Sequence, residues 1–336
     1  MSNDSDLISI ILPVYNGERF LAQSIESCLS QTHKNLELII INDYSTDASL
    51  SIAKHYEDLD SRVKVYSNTV NLRLPKSLNK GHEMASGAYI TWTSDDNRFR
   101  ESALENLLNH LKRHKADLVY AHCDVINNTG KITGFLNAKA ADHLLFENVV
   151  GACFLYTKEI YAAVGYYNAQ MVLIEDYDFW LRVAKQGIIK ASDEILYEYR
   201  QHEDSLTSQI KNNQKINKAF KVSKRTMYQA LLGLEELIAP TELLRFLENS
   251  TFDIIGAQKI FSSPVFFKDF YTFSNSFKGI NAQHVVQMLI HRLVEFVLCN
   301  PELQQRSTLT YLYKSSPRSM LAIPLNRQLA LVKKCI

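Results

Sequence analysis

An excess of charge of either sign is the first thing missing. Lys and Arg number 37 against 36 Asp and Glu, for a formal net charge of +1. No global field therefore points to nucleic acid as a partner, and a charged ligand must be held locally. The five cysteines, Cys28, Cys123, Cys153, Cys299 and Cys335, are odd in number and scattered, with no pair at zinc or redox spacing, so they read as reduced thiols. Every apolar run is broken by a charge well before the roughly 18 residues that a bilayer-crossing helix needs. The segment Met1 to Asp6 is polar and acidic, without the basic and apolar regions of a signal peptide, so the expected location is cytoplasmic. A Gly-x-Gly-x-x-Gly turn is missing too: the first strand-like run leads into Pro13-Val14-Tyr15-Asn16-Gly17-Glu18, and no Walker-type Gly-Lys-Ser/Thr occurs. Dinucleotide-dependent oxidoreductases lose their main support.

What is present is an ordinary folded composition, 46% hydrophobic and 22% charged, with only 11 Gly and 7 Pro. At 336 residues the chain exceeds the roughly 250–300 that one core accommodates, so two units are expected. Apolar runs at 7–14, 36–41, 63–66 and 88–93 read as strands. Between them 19–31, 50–59 and a stretch ending at Met84 carry helical periodicity. A helix at 101–114, a strand at 118–122, an apolar segment at 149–156, a helix at 177–185 and a strand at 195–199 follow. Such alternation predicts an α/β fold with a mostly parallel sheet flanked by helices and ligands at the strands' carboxyl ends. From about residue 211 strand signals fade, which divides the chain into a catalytic domain at 1–210 and a mainly helical C-terminal region at 211–336.

Three acidic sites fall where that architecture places ligands. Asp43 follows the second strand, Asp95-Asp96 the fourth, and Glu175-Asp176 opens a later helix. Singly, each also reads as a cap or turn former, and Glu175-Asp176 as a negative first helical turn favoured by the macrodipole. Adjacent carboxylates after a strand suit a hard divalent cation, Mn2+ or Mg2+, that shares its shell with diphosphate oxygens.

Four segments together resemble family 2 of the glycosyltransferases, inverting enzymes with the GT-A fold. They are Ile8-Ser9-Ile10-Ile11-Leu12-Pro13-Val14-Tyr15-Asn16, Asn42-Asp43-Tyr44-Ser45-Thr46-Asp47, Gly87 to Asn97 ending Ser94-Asp95-Asp96-Asn97, and Ile174-Glu175-Asp176-Tyr177-Asp178-Phe179-Trp180. The resemblance covers about residues 7–207. It implies that Pro13, Val14, Tyr15 and Asn16 form the nucleotide-binding turn, Asp43 meets the base, Asp95 the ribose and Asp96 the metal. Asp176 becomes the catalytic base, with Glu175 and Trp180 near the acceptor or one layer behind it; Trp180 reads as a core aromatic more readily than as a ring stacked on a sugar. In Tyr199-Arg200-Gln201-His202-Glu203-Asp204, His202 is the residue expected near metal or diphosphate. Two departures stand out: Thr93 replaces an acid of the commonest metal motif, and Asn71-Leu72-Arg73 lacks the family's glycine, leaving Arg73 as a phosphate partner or a solvated side chain.

The implied function is transfer of a sugar from a nucleotide-diphosphate donor, a UDP-sugar foremost, to a glycan or lipid-linked saccharide acceptor in polysaccharide biosynthesis. The alternative is a catalytically degenerate scaffold of the same fold. Beyond 208 the chain offers amphipathic helices and an aromatic cluster at Phe261, Val265, Phe266, Phe267, Phe270, Tyr271 and Phe273. These read as helical packing, with peripheral contact at the inner face of the cytoplasmic membrane or a homo-oligomer as the sharper alternatives.

Overall fold

The computed structural model describes residues 6–203, 205–232, 244, 247, 253–263 and 266–336. The N-terminal segment 1–5, Asp204 and Val265 lie outside the described residues. The chain divides into one unit running to Ala141 and from Asn148 to Phe220, and a second made of Asp142–Glu147 and Lys221–Ile336. The division thus falls after Phe220 rather than near 210.

The first unit is built on a 9-stranded sheet. The parallel part of this sheet is arranged around β1 (Ile8–Val14), whose seven residues are all buried, as a strand covered on both faces requires. Strand β1 lies parallel to β2 (Leu36–Asn42) on one side and to β4 (Tyr89–Trp92) on the other, and β2 in turn pairs with β3 (Val63–Ser67). Register places Val14 opposite Asn42 and Ile11 opposite Trp92. The turns that follow β1, β2 and β4 therefore emerge side by side at one sheet edge.

Helices α1 (Leu21–Leu29), α2 (Ser49–Leu59), α3 (Leu74–Met84) and α4 (Ala103–His114) follow the strands. In α4, Leu104, Leu107, Leu108 and Leu111 form the buried stripe, while its basic last turn suits the negative end of the helix dipole. A core of Ile8, Ile10, Leu12, Leu21, Ile25, Leu38, Ile40, Leu104 and Val119 joins strands to helices.

The rest of the sheet is mixed. Strand β8 (Phe154–Thr157) runs antiparallel to β4 and to β6 (Leu118–Ile126), and β9 (Ile189–Arg200) runs parallel to β6. Two strands were not anticipated. The pair Arg98–Phe99 (β5) adds antiparallel to β9, and Ile132–Leu136 (β7) adds antiparallel to β6 with every residue exposed. Strand β9 also starts at Ile189, ahead of the expected 195. Helices α5 (Lys158–Val164), α6 (Glu175–Gln186), α7 (Leu206–Asn212) and α8 (Gln214–Leu232) complete the described elements as far as Leu232.

In the second unit, helices Ile254–Ser262, Phe266–Asn275, Ala282–Cys299, Arg306–Ser315, Pro317–Leu321 and Leu325–Cys335 follow one another. Phe266, Phe267, Phe270 and Phe273 are buried, which settles that part of the aromatic cluster as core rather than contact surface. Segment 142–147 belongs here because the Tyr228 hydroxyl donates to the Leu145 carbonyl (3.0 Å) and the Arg292 guanidinium sits 4.6 Å over the Phe146 ring.

Candidate active site

The turns after β1 and β2 clasp each other. The Asn16 amide oxygen accepts from Thr46 N–H (2.8 Å), while Asn16 N–H donates to Ser45 Oγ (3.1 Å). Gly17 N–H donates to Ser49 Oγ (2.9 Å), Glu18 N–H to Asp47 Oδ2 (3.0 Å), and Ala48 N–H back to Glu18 Oε2 (2.8 Å). Tyr15 and Tyr44 stand outside this clasp, exposed by 51% and 53%. Pro13 and Val14 are buried inside β1, and the Val14 carbonyl accepts the Asp43 N–H (2.8 Å). Their side chains are thus turned into the core, and what they can contribute to a donor site is the placement of the turn.

Asp43 is buried and organises the loop after β3. Its Oδ1 accepts from Asn68 Nδ2 and Leu72 N–H, both at 2.8 Å, and its Oδ2 accepts from Arg73 N–H at 2.8 Å. A carboxylate oxygen has two lone pairs, so Oδ2 keeps one for a further donor. Arg73 is exposed and held at φ 67° and ψ 165°, a region that is essentially glycine's. Asn16, Tyr44 and Leu173 also have positive φ. Among the described residues, four of the five such non-glycine residues thus lie in loops carrying the predicted site, the fifth being Lys115 at the end of α4. Backbone held in sparsely populated regions clusters at functional sites.

Beyond β4 the carboxylate pair is set into the same edge. Burial first, and then the charge of Asp96, pushes the Asp95 carboxyl up to about 7, against the opposing effects of backbone N–H groups, Tyr15's included, and of His202. Asp95 fits only because residue 17 is glycine: a Cβ there would lie 1.9 Å from Asp95 Oδ2. His202 Nε2 donates to Asp96 Oδ2 (2.9 Å), so these two sequence-distant residues meet. Beneath them the Arg200 side chain is buried. Its Nε donates to the Asp96 carbonyl, its Nη1 to the Asn127 carbonyl and its Nη2 to Gln23 Oε1, at 2.8, 2.8 and 2.9 Å. The guanidinium also lies 4.2 Å from the Phe20 ring centroid.

The chemistry of these donors fits a divalent cation. Two neighbouring carboxylates, one of them raised by burial and then by the other's charge, would be relieved by a dication, and imidazole nitrogen with carboxylate oxygen is a donor set for Mn2+. Among the described residues no cluster of three or more His, Cys, Asp or Glu forms a complete metal cage. If a cation binds here, Asp96 and His202 are the residues that would hold it, with His202 Nε2 giving up the proton it now donates to Asp96 and ligand oxygens completing the shell.

Glu175 and Asp176 open α6. Asp176 Oδ2 accepts from Asn148 Nδ2 (2.9 Å) and its Oδ1 from Tyr177 N–H (2.6 Å). Burial raises the Asp176 carboxyl above its usual range. Burial and the Asp176 charge raise that of Glu175, against backbone N–H groups at Leu173, Ile174 and Glu175. The half-buried Tyr199 phenol on β9 is pushed up by burial first, against a hydrogen bond with Thr207, with lesser contributions from the charges of Asp96 and Asp176. Trp180 does not face a ligand. It is fully buried, 4.6 Å from the Phe154 ring and 5.3 Å from Phe179, so of its two readings the structure gives core packing.

A family profile described as "Glycosyl transferase family 2" matches residues 9–164. A protein of Haemophilus influenzae named as an uncharacterized glycosyltransferase is 30% identical over 247 residues, spanning 68% of this chain and 76% of its own. The chain belongs to glycosyltransferase family 2. The putative glycosyltransferase EpsE of Bacillus subtilis is 32% identical over 221 residues, 60% of this chain and 76% of its own. Among solved structures, TarS 1–349 of S. aureus in complex with UDP-GlcNAc superposes with a TM-score of 0.59 at 14% identity, covering 98% of this chain and 92% of that one. At that identity the likeness is one of fold, and it is the GT-A fold with a helical C-terminal region.

Within this glycosyltransferase three residues escaped the sequence reading. Gly17 is one, since its need for no side chain appears only when Asp95 is seen against it. Arg200 is another: an arginine ending an apolar strand reads as solvent-facing until its three acceptors converge on it. Asn148 reaches Asp176 from 28 positions away with no motif of its own. Each is a tertiary contact rather than a local pattern.

Proposed function

We propose that this chain is an inverting glycosyltransferase that moves a hexosyl or hexosaminyl unit from a nucleotide-diphosphate sugar, a UDP-sugar foremost, to a saccharide or lipid-linked saccharide acceptor in cytoplasmic polysaccharide biosynthesis. One observation carries this reading: Asp43 and the Asp95–Asp96 pair follow β2 and β4, the two strands that flank β1 at one sheet edge, and His202, just past β9, donates to Asp96. The fold neighbour TarS was captured with UDP and with UDP-GlcNAc, which supports a uridine donor.

In this scheme the free lone pair of Asp43 Oδ2 takes the base N–H, with Tyr15 and Tyr44 offering ring faces beside it. Asp95 takes the ribose hydroxyls, and the exposed Arg73 guanidinium faces the diphosphate. A divalent cation held by Asp96 and His202 would neutralise charge on the leaving diphosphate. Asp176 keeps one lone pair on each oxygen after its two protein donors are counted. It takes the acceptor hydroxyl's proton as that oxygen bonds to the anomeric carbon. The bond from this carbon to the diphosphate oxygen breaks on the opposite face, and its electron pair leaves with the nucleoside diphosphate. A raised carboxyl makes a stronger base than an exposed aspartate once ionised.

Asp176→Asn keeps the shape of the carboxylate and removes its basicity. Transfer is expected to fall by about 100-fold or more, with UDP binding and the melting temperature little changed. Undiminished transfer by the folded variant would show that Asp176 is not the base.

A further inference from the structure

The end of the second unit carries an acid-free basic run, as does the stretch 205–234 with Lys211, Lys215, Lys218, Lys221, Lys224 and Arg225. From Leu303 to Ile336 there is no Asp or Glu, while Arg306, Lys314, Arg318, Arg327, Lys333 and Lys334 supply six positive charges in a protein whose net charge is +1. All six are exposed. Arg327 pairs with Glu295 (3.0 Å), and Lys334 Nζ donates to the Leu298 carbonyl (2.8 Å). The other four have no carboxylate partner among the described residues.

Helix Leu325–Cys335 also has one apolar face too many. Leu331 and Cys335 are buried and anchor it to its unit. Leu325 and Leu329, one turn apart, continue through half-buried Val332 to Ile336 at helical spacing on a different face. There Leu325 is 69%, Leu329 53% and Ile336 71% exposed, and Leu321, just before the helix, is 70% exposed. Soluble surfaces rarely leave so many large aliphatic side chains in water along one line.

We propose that this face docks on a membrane surface rich in anionic lipid, with Leu321, Leu325 and Leu329 entering the headgroup boundary and Arg306, Lys314, Arg318 and Lys333 contacting lipid phosphates. The charge pattern selects this occupant over a second copy of the chain. A symmetric self-contact brings acid-free cationic segments together, whereas an anionic leaflet attracts each basic side chain, strengthening binding by about fivefold apiece. Among the described residues no helix is long and apolar enough to cross a bilayer, so the segment lies on the surface.

Flotation of the full chain with vesicles tests this, using phosphatidylcholine alone or mixed with phosphatidylglycerol. Binding to the anionic vesicles is expected to exceed that to neutral ones by at least about tenfold and to weaken in high salt. The double substitution Leu325→Glu with Leu329→Glu should lower it by about tenfold or more, and Lys333→Gln alone by about fivefold, with thermal melting unchanged because the sites are exposed. Equal binding to neutral vesicles, no binding to anionic ones, or binding indifferent to both sets of substitutions overturns the proposal. So does a dimer seen by light scattering that the leucine substitutions dissociate while vesicles are ignored. Lys333→Gln, made outside the packed face, keeps the test decisive if the double variant folds poorly.

Discussion

Gly17→Ala is the sharpest probe of the donor edge. The added methyl carbon would lie 1.9 Å from Asp95 Oδ2, 2.6 Å from Cγ and 3.1 Å from Cβ. Carbon packs against its neighbours at about 3.5 Å, so the carboxylate must retreat by roughly 1.5 Å. Because Cγ and Cβ are crowded as well, turning the carboxyl group about its own axis does not clear the clash, and the side chain must leave its rotamer. Backbone strain does not confound the test, since Gly17 lacks the left-handed φ that would penalise alanine. A displacement near 1 Å in a catalytic site costs on the order of 100-fold, close to 2.7 kcal/mol of barrier. The overpacking itself should cost stability only about 1–2 kcal/mol. The assay is kcat/KM for transfer, alongside UDP affinity by calorimetry. Gly134→Ala serves as control, because a Cβ there meets nothing nearer than 3.6 Å. If Gly17→Ala binds UDP and turns over like the parent, the placement of Asp95 is not part of the chemistry.

Arg73→Gly should relieve strain of about 1–3 kcal/mol, partly offset by roughly 0.4–1 kcal/mol of unfolded-chain entropy. A higher denaturation midpoint is expected together with weaker UDP binding, and a lower midpoint would refute the strain. His82 is buried, its Nδ1 donating to the Leu78 carbonyl (2.7 Å) and its Nε2 accepting from the Tyr156 hydroxyl (2.5 Å), and burial depresses it from 6.5 to about 4. The unfolded chain therefore binds the proton more tightly, so this stability is complete above pH 6.5 and is lost as pH falls toward 4, by roughly 3 kcal/mol in all. Urea titrations across that window should show the slope in the parent and not in His82→Gln. Arg200→Met leaves the Asp96 and Asn127 carbonyls and Gln23 Oε1 without their donor, and unfolding by urea should show a loss of about 3 kcal/mol or more.

Where apolar residues run unbroken, sequence and structure agree to within a residue or so, as in β1, β2 and β3. The misses have physical reasons. Ile132–Leu136 is exposed throughout, so no hydrophobic alternation marks β7, and the two-residue β5 is too short for any period to show. The acidic residues after strands were legible because loops at the carboxyl ends carry short polar signatures. Their contacts were not. Asp43's engagement with the loop at 68–73 and the meeting of His202 with Asp96 depend on chain-distant partners. Trp180 stays ambiguous in sequence because an aromatic beside an acidic motif on a helix looks the same whether it faces a ligand or Phe154.

The clasp between the first two turns has a bearing on descent. Asn16 is matched to Ser45 and Thr46, Gly17 to Ser49, and Glu18 to Asp47 and Ala48, each side supplying both donors and acceptors. The donors are backbone N–H groups, so losing an accepting side chain at Asn16, Glu18, Ser45, Asp47 or Ser49 strands an amide that no counterpart change removes, and these five positions are expected to keep residues that accept. Tyr15 and Tyr44 project from the same turns without joining that exchange. They are the places where a lineage can try a new ring, or none, without first rewriting the scaffold that presents it.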